Sequence, residues 1–276
     1  PGIFGAIAPA HMDRYDTNLD HLLKVAIKNH ENGALNPKAQ FNVTIQSLME
    51  RRMTRAQERG QPVPEYVTEM DFLNDPGANP WIAWPLRLYD CAPITDGAAC
   101  VLLVASELAH NFTDKPIDIA GTGQASGRPL HDADELTSLS AAKAAASQAY
   151  EMAGVTADDI QVAEVHDCFT PTELVLMEDL GFCDRGTAWR EVLDGTFALD
   201  GDLPVNPDGG LKSFGHPVGA SGLRMYYEAW LQLRGEAPVE RRISTLADRS
   251  MALIHNLGGY PGEMVSFVGI VGTELG

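Results

Sequence analysis

With 276 residues, 45% of them apolar, the chain can build one large domain or two smaller ones around a core that needs no staples. Its 38 acidic and 20 basic residues leave a net charge of −18, which argues against nucleic acid and anionic membranes as partners. No apolar run reaches the length of a membrane span. The first residue is Pro1 and no signal-peptide pattern follows, so the start reads as an internal point of a longer product or a processed end. The four cysteines, Cys91, Cys100, Cys168 and Cys183, show neither zinc-type spacing nor a dense secreted framework. No metal is expected, and a reducing cytoplasm is the expected setting. Cys91 and Cys100 read as core packing, and Cys183 has no evident role.

In chain order, residues 17–33 are predicted to form a helix. Thr17 with Asp20 offers a capping box, Leu19, Leu22, Leu23, Ala26 and Ile27 form one apolar stripe, and Gly33 follows. His30 on that helix reads as structural. Between 58 and 85, Gly60 and Pro62, Pro64, Pro76, Pro80 and Pro85 oppose regular structure. Asp90–Gly97 then leads into Ala98–Val104, an apolar run predicted to be a buried strand. Leu139–Met152 is an Ala-rich helix ended by Gly154, and Ile160–Val165 is a strand.

That strand runs into Val165-His166-Asp167-Cys168-Phe169-Thr170. Thr170 can cap a helix, Pro171 suits its first turn, Glu173 completes a capping box, and Gly181 stops it. A thiol and an imidazole therefore lie where a strand hands over to a helix, whose partial positive charge lowers a thiol's pKa. The same residues also fit a small buried cysteine and a turn histidine. Further on, Pro217 starts a helix through Arg224, Tyr227 and Leu231 to Gly235, and Met251–Ile254 and Met264–Val271 are strands joined by a Gly-rich turn. Strands alternating with helices imply α/β layers. No internal repeat is present.

Three stretches carry a family resemblance: His166-Asp167-Cys168-Phe169, Gly209-Gly210-Leu211-Lys212-Ser213-Phe214-Gly215-His216-Pro217-Val218-Gly219-Ala220-Ser221-Gly222, and His255-Asn256-Leu257-Gly258-Gly259. In this order they resemble the C-terminal half of a thiolase, more narrowly the sterol-carrier-protein type. Lys24–His30 and Gly33–Pro37 resemble the loop domain of the same type. The resemblance implies the thiolase fold, a layered αβαβα arrangement. Residues 1–85 would be the loop domain, 86–116 the end of the N-terminal half, and 117–276 the C-terminal domain.

The implied activity is that of an acyl-CoA-dependent thiolase, which makes or cleaves a β-ketoacyl-CoA. It takes a coenzyme A thioester as substrate and holds no permanent cofactor. In that family type the loop cysteine, here Cys168, replaces the acid/base cysteine found elsewhere. His216 would activate the nucleophile or hold a thioester oxygen, and His166 would position a water or oxyanion. Asn256 stands where other thiolases have Cys, and the Gly258 N–H is a candidate oxyanion donor. The acylated cysteine of thiolases lies upstream of the loop domain. None of the four cysteines here has the Cys-x-Ser context, so the nucleophile is expected outside this stretch, on another chain, or not at all.

One departure is Tyr260-Pro261-Gly262-Glu263, where the family continues with small residues. The Tyr260 phenol could donate a proton, block a bulky substrate or cap the turn. Trp81 and Trp84 are either ordinary aromatic cover or a wall for an acyl tail. No coenzyme-A-binding residue is assigned. In so acidic a chain, any phosphate site must gather its Lys and Arg locally. Two other readings stand beside the thiolase: a retro-aldolase acting on a β-hydroxyacyl-CoA, and a non-catalytic acyl-CoA-binding subunit. Expected partners are further copies, as a homodimer or tetramer, and a small OB-fold or zinc-ribbon protein.

Overall fold

The computed structural model describes residues 1–128, 135–246, 250–259 and 264–273. The first third is helical: α1 (Gly2–Gly5), α2 (Ile7–Tyr15), α3 (Leu19–Ala34), α4 (Ile45–Glu58) and α5 (Glu69–Asn74). The cap of α3 is Asn18, not Thr17. The Asn18 side-chain oxygen accepts the Asp20 and His21 N–H groups, while the His21 ring accepts the Asn18 N–H. Thr17 is turned instead to His11, 2.7 Å away. The buried face of α3 is wider than the apolar stripe and takes in Lys28, Asn29, His30 and Asn32. His30 fills the expected structural place, buried with Nδ1 3.1 Å from the Val43 carbonyl and its ring against Phe41 and Tyr89.

The 58–85 stretch is not wholly irregular. The gap between Pro64 and Pro76 holds α5, because Thr68 and Asp71 cap each other reciprocally at its start. Beyond it, β1 (Trp81–Ala83) and β2 (Leu86–Arg87) pair antiparallel, leaving Trp81 and Trp84 exposed. The expected buried strand at Ala98–Val104 does not form. The run is irregular, with Leu102 77% and Leu103 70% exposed, and Cys100 is exposed rather than core. Among the described residues no strand pairs with it, and a β-forming run without a neighbour has nothing to satisfy its backbone. A short α6 (Ser106–Ala109) follows.

The rest is a three-layered α/β unit made from β3 (Asp118–Ser126), α7 (Ser140–Ala153), β4 (Val162–Glu164), α8 (Thr170–Asp179), α9 (Ala188–Asp194), α10 (Gly210–Ser213), α11 (Ser221–Leu233), β5 (Met251–Gly258) and β6 (Val265–Gly272). The sheet order is β3-β6-β5-β4. Only the β5–β4 pair is parallel. Alternation along β5 sets the layers: Leu253 and Leu257 join the core under α7, and Ala252 and Ile254 join the core under α11. Helix α7 comes close to β3 because Gly121 and Gly123 lack side chains. A Cβ at 123 would lie 2.0 Å from the Ala145 carbonyl oxygen. Gly154 (φ 68°) and Gly181 (φ 84°) end their helices in the left-handed region, as the sequence predicts. No helix among the described residues is long and apolar enough to cross a membrane.

Candidate active site

The His-Asp-Cys-Phe and Gly-His-Pro loops meet at the end of the short strand β4. Helix α8 starts differently from the sequence expectation. Phe169 is its cap residue, Thr170 is already helical, and the Thr170 hydroxyl donates to Asp90 at 2.6 Å. Glu173 does not fold back to complete a box. Its carboxylate pairs with Lys28 at 2.9 Å and accepts from Asn29 and Asn206, at 2.6 and 3.0 Å. All ten residues of α8 are buried, so the start of this helix is a polar network inside the protein.

His166 and His216 come together edge to face, with ring centroids 5.1 Å apart. His216 is fixed from three sides. Its backbone N–H donates to Thr95 (3.1 Å), it bridges Ile94, and its Nδ1 lies 2.8 Å from the Ser221 hydroxyl. The single hydroxyl proton of Ser221 goes to the Pro217 carbonyl at 3.1 Å. With that proton on Pro217, Ser221 accepts from His216 Nδ1–H, the tautomer in which Nε2 is the open acceptor. Burial holds the His216 pKa below the usual value, so the ring is a neutral base at neutral pH. Gly215 (φ 116°) makes the turn, and a Cβ there would strike Thr95 Oγ1 at 2.7 Å.

His166 is buried, with its Nδ1 unpartnered among the described residues. Burial, then His216 and His255, push its pKa well below the usual value, while the neighbouring Asn256 side chain works the other way. Asn256 faces the α11 side of the sheet, its amide 3.5 Å from Met225 Sδ. Gly258 closes β5 at an exposed position with open space around it. Tyr260 lies outside the described residues.

Cys168 corrects one expectation. A helix N-terminus was expected to lower its pKa. Instead burial, reinforced by the Asp167 charge, pushes the thiol up to about 12. The thiol is at the foot of α8 among Leu211, Phe169 and Ala92, where loss of water outweighs the helix dipole. Thr172 and Lys212 favour the thiolate without reversing the shift. Asp167 ties the two loops together. It accepts from Leu211 N–H (2.6 Å), Lys212 N–H (3.2 Å) and Asn29 (2.8 Å). Burial and nearby Glu173 raise its pKa to about 6. Gly210 (φ 60°) allows this contact, since a Cβ there would sit 2.4 Å from the carboxylate.

Several functional neighbours were missed from the sequence. Lys212 and Ser221 lie inside the Gly-His-Pro stretch itself, and Ser221 could have been read from its five-residue offset from His216. Lys212 is 2% exposed, and its ammonium has no hydrogen-bond partner among the described residues. Burial lowers its pKa, against the pull of Asp90, Asp167, Cys91 and Cys168. Asn29 and Asn206 left no signal. Beneath the loops Arg224 pairs with Asp208 and with Glu164 at 3.4 Å, its guanidinium over the Phe214 ring.

Glu164 gives a test of this buried network. Burial raises its pKa to about 8 against the opposing charge of Arg224. A carboxylate whose folded pKa lies above its unfolded value binds its proton more tightly when folded. Its contribution is therefore full below about pH 4.5 and is lost as pH rises through about 8. Buried His255 (pKa about 3) and His30 (about 4) act oppositely: each contributes above pH 6.5 and loses that contribution as pH falls through its folded value. The difference between wild type and Glu164→Gln removes these common terms. The variant should gain stability on the wild type by at least about 1 kcal/mol between pH 5 and 8. Parallel curves in urea titrations at the two pH values would contradict this.

Comparison with known proteins identifies the family. The family profile described as thiolase C-terminal domain-like matches residues 123–269, more than half of the chain. An acetyl-CoA acetyltransferase of Methanothermobacter thermautotrophicus is 38% identical over 265 residues, which cover 95% of this chain and 61% of that protein. Sterol carrier protein 2 of Bos taurus is 31% identical over 264 residues, 94% of this chain and 43% of that protein. The chain thus spans less than two thirds of the length of these relatives. A solved Ltp2-ChsH2(DUF35) aldolase superposes with a TM-score of 0.76 at 25% identity, covering 99% of this chain and 63% of that one. A monomeric SCP2-thiolase like protein type 1 from Mycobacterium smegmatis shares the fold, with a TM-score of 0.62 at 16% identity over 98% of this chain and 51% of that one. On the family match and the paired loops, the chain belongs to the thiolase family.

Proposed function

We propose that the chain supplies the acid–base and oxyanion side of an acyl-CoA thiolase that makes or cleaves a β-ketoacyl-CoA. The observation that carries this reading is the His166–His216 pair, with His216 Nδ1 anchored on the Ser221 hydroxyl. In this reading His216 takes the proton of an incoming thiol, the nucleophilic cysteine or coenzyme A. His166 and the Gly258 N–H hold the oxyanion, with Asn256 orienting His166. Cys168, neutral at rest, gives a proton to the α-carbon during cleavage and recovers it in condensation. The substrate is a coenzyme A thioester, and no resident cofactor takes part. Residues 1–85, 86–116 and 117–276 would serve as loop domain, end of the N-terminal half and C-terminal domain. The nucleophile would come from the part of the fold this chain does not span. The free cysteines fit a cytoplasmic setting. Further copies are expected partners, and the DUF35 component named with the aldolase neighbour supports a small second subunit.

A second reading has its own support. The high thiol pKa of Cys168 and the likeness to an aldolase favour retro-aldol cleavage of a β-hydroxyacyl-CoA. The test is to complement the chain with an N-terminal thiolase half and assay two reactions: thiolysis of acetoacetyl-CoA and cleavage of a β-hydroxyacyl-CoA. Thiolysis is expected. Cleavage of the β-hydroxy substrate alone would replace the thiolase reading with the aldolase, and inactivity on both would leave a binding subunit.

A further inference from the structure

All but one of the buried cations have a direct partner. Among the described residues Lys28 pairs with Glu173, Arg87 donates to the Leu73 carbonyl and to Asn74, Arg224 pairs with Asp208, and Arg241 with Glu228. The exception is Lys212, as deeply buried as the rest, whose ammonium has neither a hydrogen bond nor an ion pair among those residues. An ammonium buried this way opposes folding, and a methionine would fill the same space without the charge. Packing therefore does not account for a lysine here.

The neighbours of Lys212 locate its charge. Its backbone N–H donates to Asp167, the residue before Cys168, at 3.2 Å. The Cys168 carbonyl accepts the Ala92 N–H at 2.9 Å and Cys91 bridges Phe169, so the 90–92 segment lies alongside 168–169. The Lys212 charge acts on Asp90, Cys91, Asp167 and Cys168 alike, which places it within one cluster of two carboxyls and two thiols. Both carboxyls have other donors. Asp90 accepts from Thr170 and the Arg87 N–H, and Asp167 from Asn29 and two N–H groups of α10. The Cys91 thiol donates to the Arg87 carbonyl at 3.3 Å. An anion formed at Cys168 is the one charge in the cluster that has no such provision.

We propose that Lys212 is a positioning residue for the acid–base step, its ammonium serving as the counter-ion of the Cys168 thiolate. This rests on the thiolase reading of Cys168. In cleavage the Cys168 S–H bond breaks as the α-carbon takes the proton, and the electron pair stays on sulfur. In condensation the pair of the C–H bond stays on the α-carbon and the thiolate takes the proton. Lys212 keeps its own proton in both directions and supplies a fixed charge where the anion develops. A cation this close to a thiolate makes it at least about tenfold more abundant at a given pH.

The experiment is alkylation by iodoacetamide between pH 7 and 9 of wild type, Lys212→Met and Lys212→Arg, read at each cysteine by peptide mass spectrometry. The rate at Cys168 follows its thiolate population, because the thiolate is the nucleophile. Lys212→Met should slow labelling of Cys168 about tenfold at every pH, and Lys212→Arg, which keeps the charge, should restore most of it. Cys183 is the internal standard, since its thiol answers to Glu178, Glu191 and Arg185. The sign separates this role from a packing role: a loosened α10 would expose Cys168 and speed its labelling. If Lys212→Met does not fold, Lys212→Met/Asp90→Asn removes one buried charge of each sign, and the same slowing is expected there. In the complemented enzyme, Lys212→Met should lower kcat on acetoacetyl-CoA about tenfold with KM little changed. Unchanged or faster labelling of Cys168 in the charge-removing variants, or an unchanged kcat, would overturn the proposal. Slower labelling in a protein whose wild type is inert toward both thioester reactions would keep the Lys212–Cys168 pair and defeat the thiolase reading instead.

Discussion

Cys168→Ser, introduced into the complemented enzyme, is expected to lower kcat on a β-ketoacyl-CoA by about 10²–10⁴-fold, the usual span for loss of an acid/base group. The fold should survive. The change is close to isosteric, and the new hydroxyl keeps Thr172 as a hydrogen-bonding neighbour. A thiol pushed up to about 12 is still a far stronger acid than an alcohol, so serine can neither give up nor recover the α-carbon proton at a useful rate. Tyr260→Phe should change little in the same assay. The aldolase reading requires the reverse, because there the phenol handles the hydroxyl proton of the β-hydroxy substrate. Measuring both variants on both substrates separates the readings. A small loss for Cys168→Ser beside a large loss for Tyr260→Phe would end the thiolase assignment of Cys168.

What the sequence disclosed follows the range of the interactions involved. Gly154 and Gly181 announce helix ends because a left-handed residue is a local event, and both stand where expected. The three loop motifs are likewise contiguous, and the structure brings His166 and His216 together. The thiol pKa went astray because the sequence shows the helix dipole but not the packing that removes water. Leu211 and Ala92, which help bury Cys168, come from distant stretches. Glu173 was assigned a local cap. Its real partner Asn29 lies 144 residues away, and no spacing rule reaches that far. Ala98–Val104 has the composition of a buried strand, but burial needs a sheet to enter, and the described residues present none beside it. The capping box at Thr68 and Asp71 could have been read, since it has the right spacing. The prolines on either side of it point to irregular structure and mask that signal.

Gly33→Ala is expected to destabilise the protein by about 2–3 kcal/mol, against the sign of helix propensity. In an unconstrained helix the change would gain up to about 1 kcal/mol. Here α3 lies directly on α10, and a Cβ at 33 would meet Ser213 Oγ at 2.0 Å and Ser213 Cβ at 2.5 Å. Ser213 cannot turn aside freely, because its hydroxyl donates to the Phe41 carbonyl at 2.7 Å and its N–H to the Gly209 carbonyl at 3.0 Å. Nor can the loop retreat easily. Gly209 (φ 108°) is packed against Gly33, and Asp167 holds the Leu211 and Lys212 N–H groups of α10. The added methyl must therefore push α10 away from α3, and α10 leads directly to His216. At about 2–4 °C per kcal/mol, Tm should fall by about 4–12 °C. Because the strain runs through Ser213, Ser213→Gly should recover part of the loss in the Gly33→Ala background while costing stability in the wild type. That non-additivity is the signature of two groups in contact. A Gly33→Ala protein as stable as the wild type would mean that α3 and α10 do not touch at this point, and that the Gly-His-Pro loop takes its position from elsewhere.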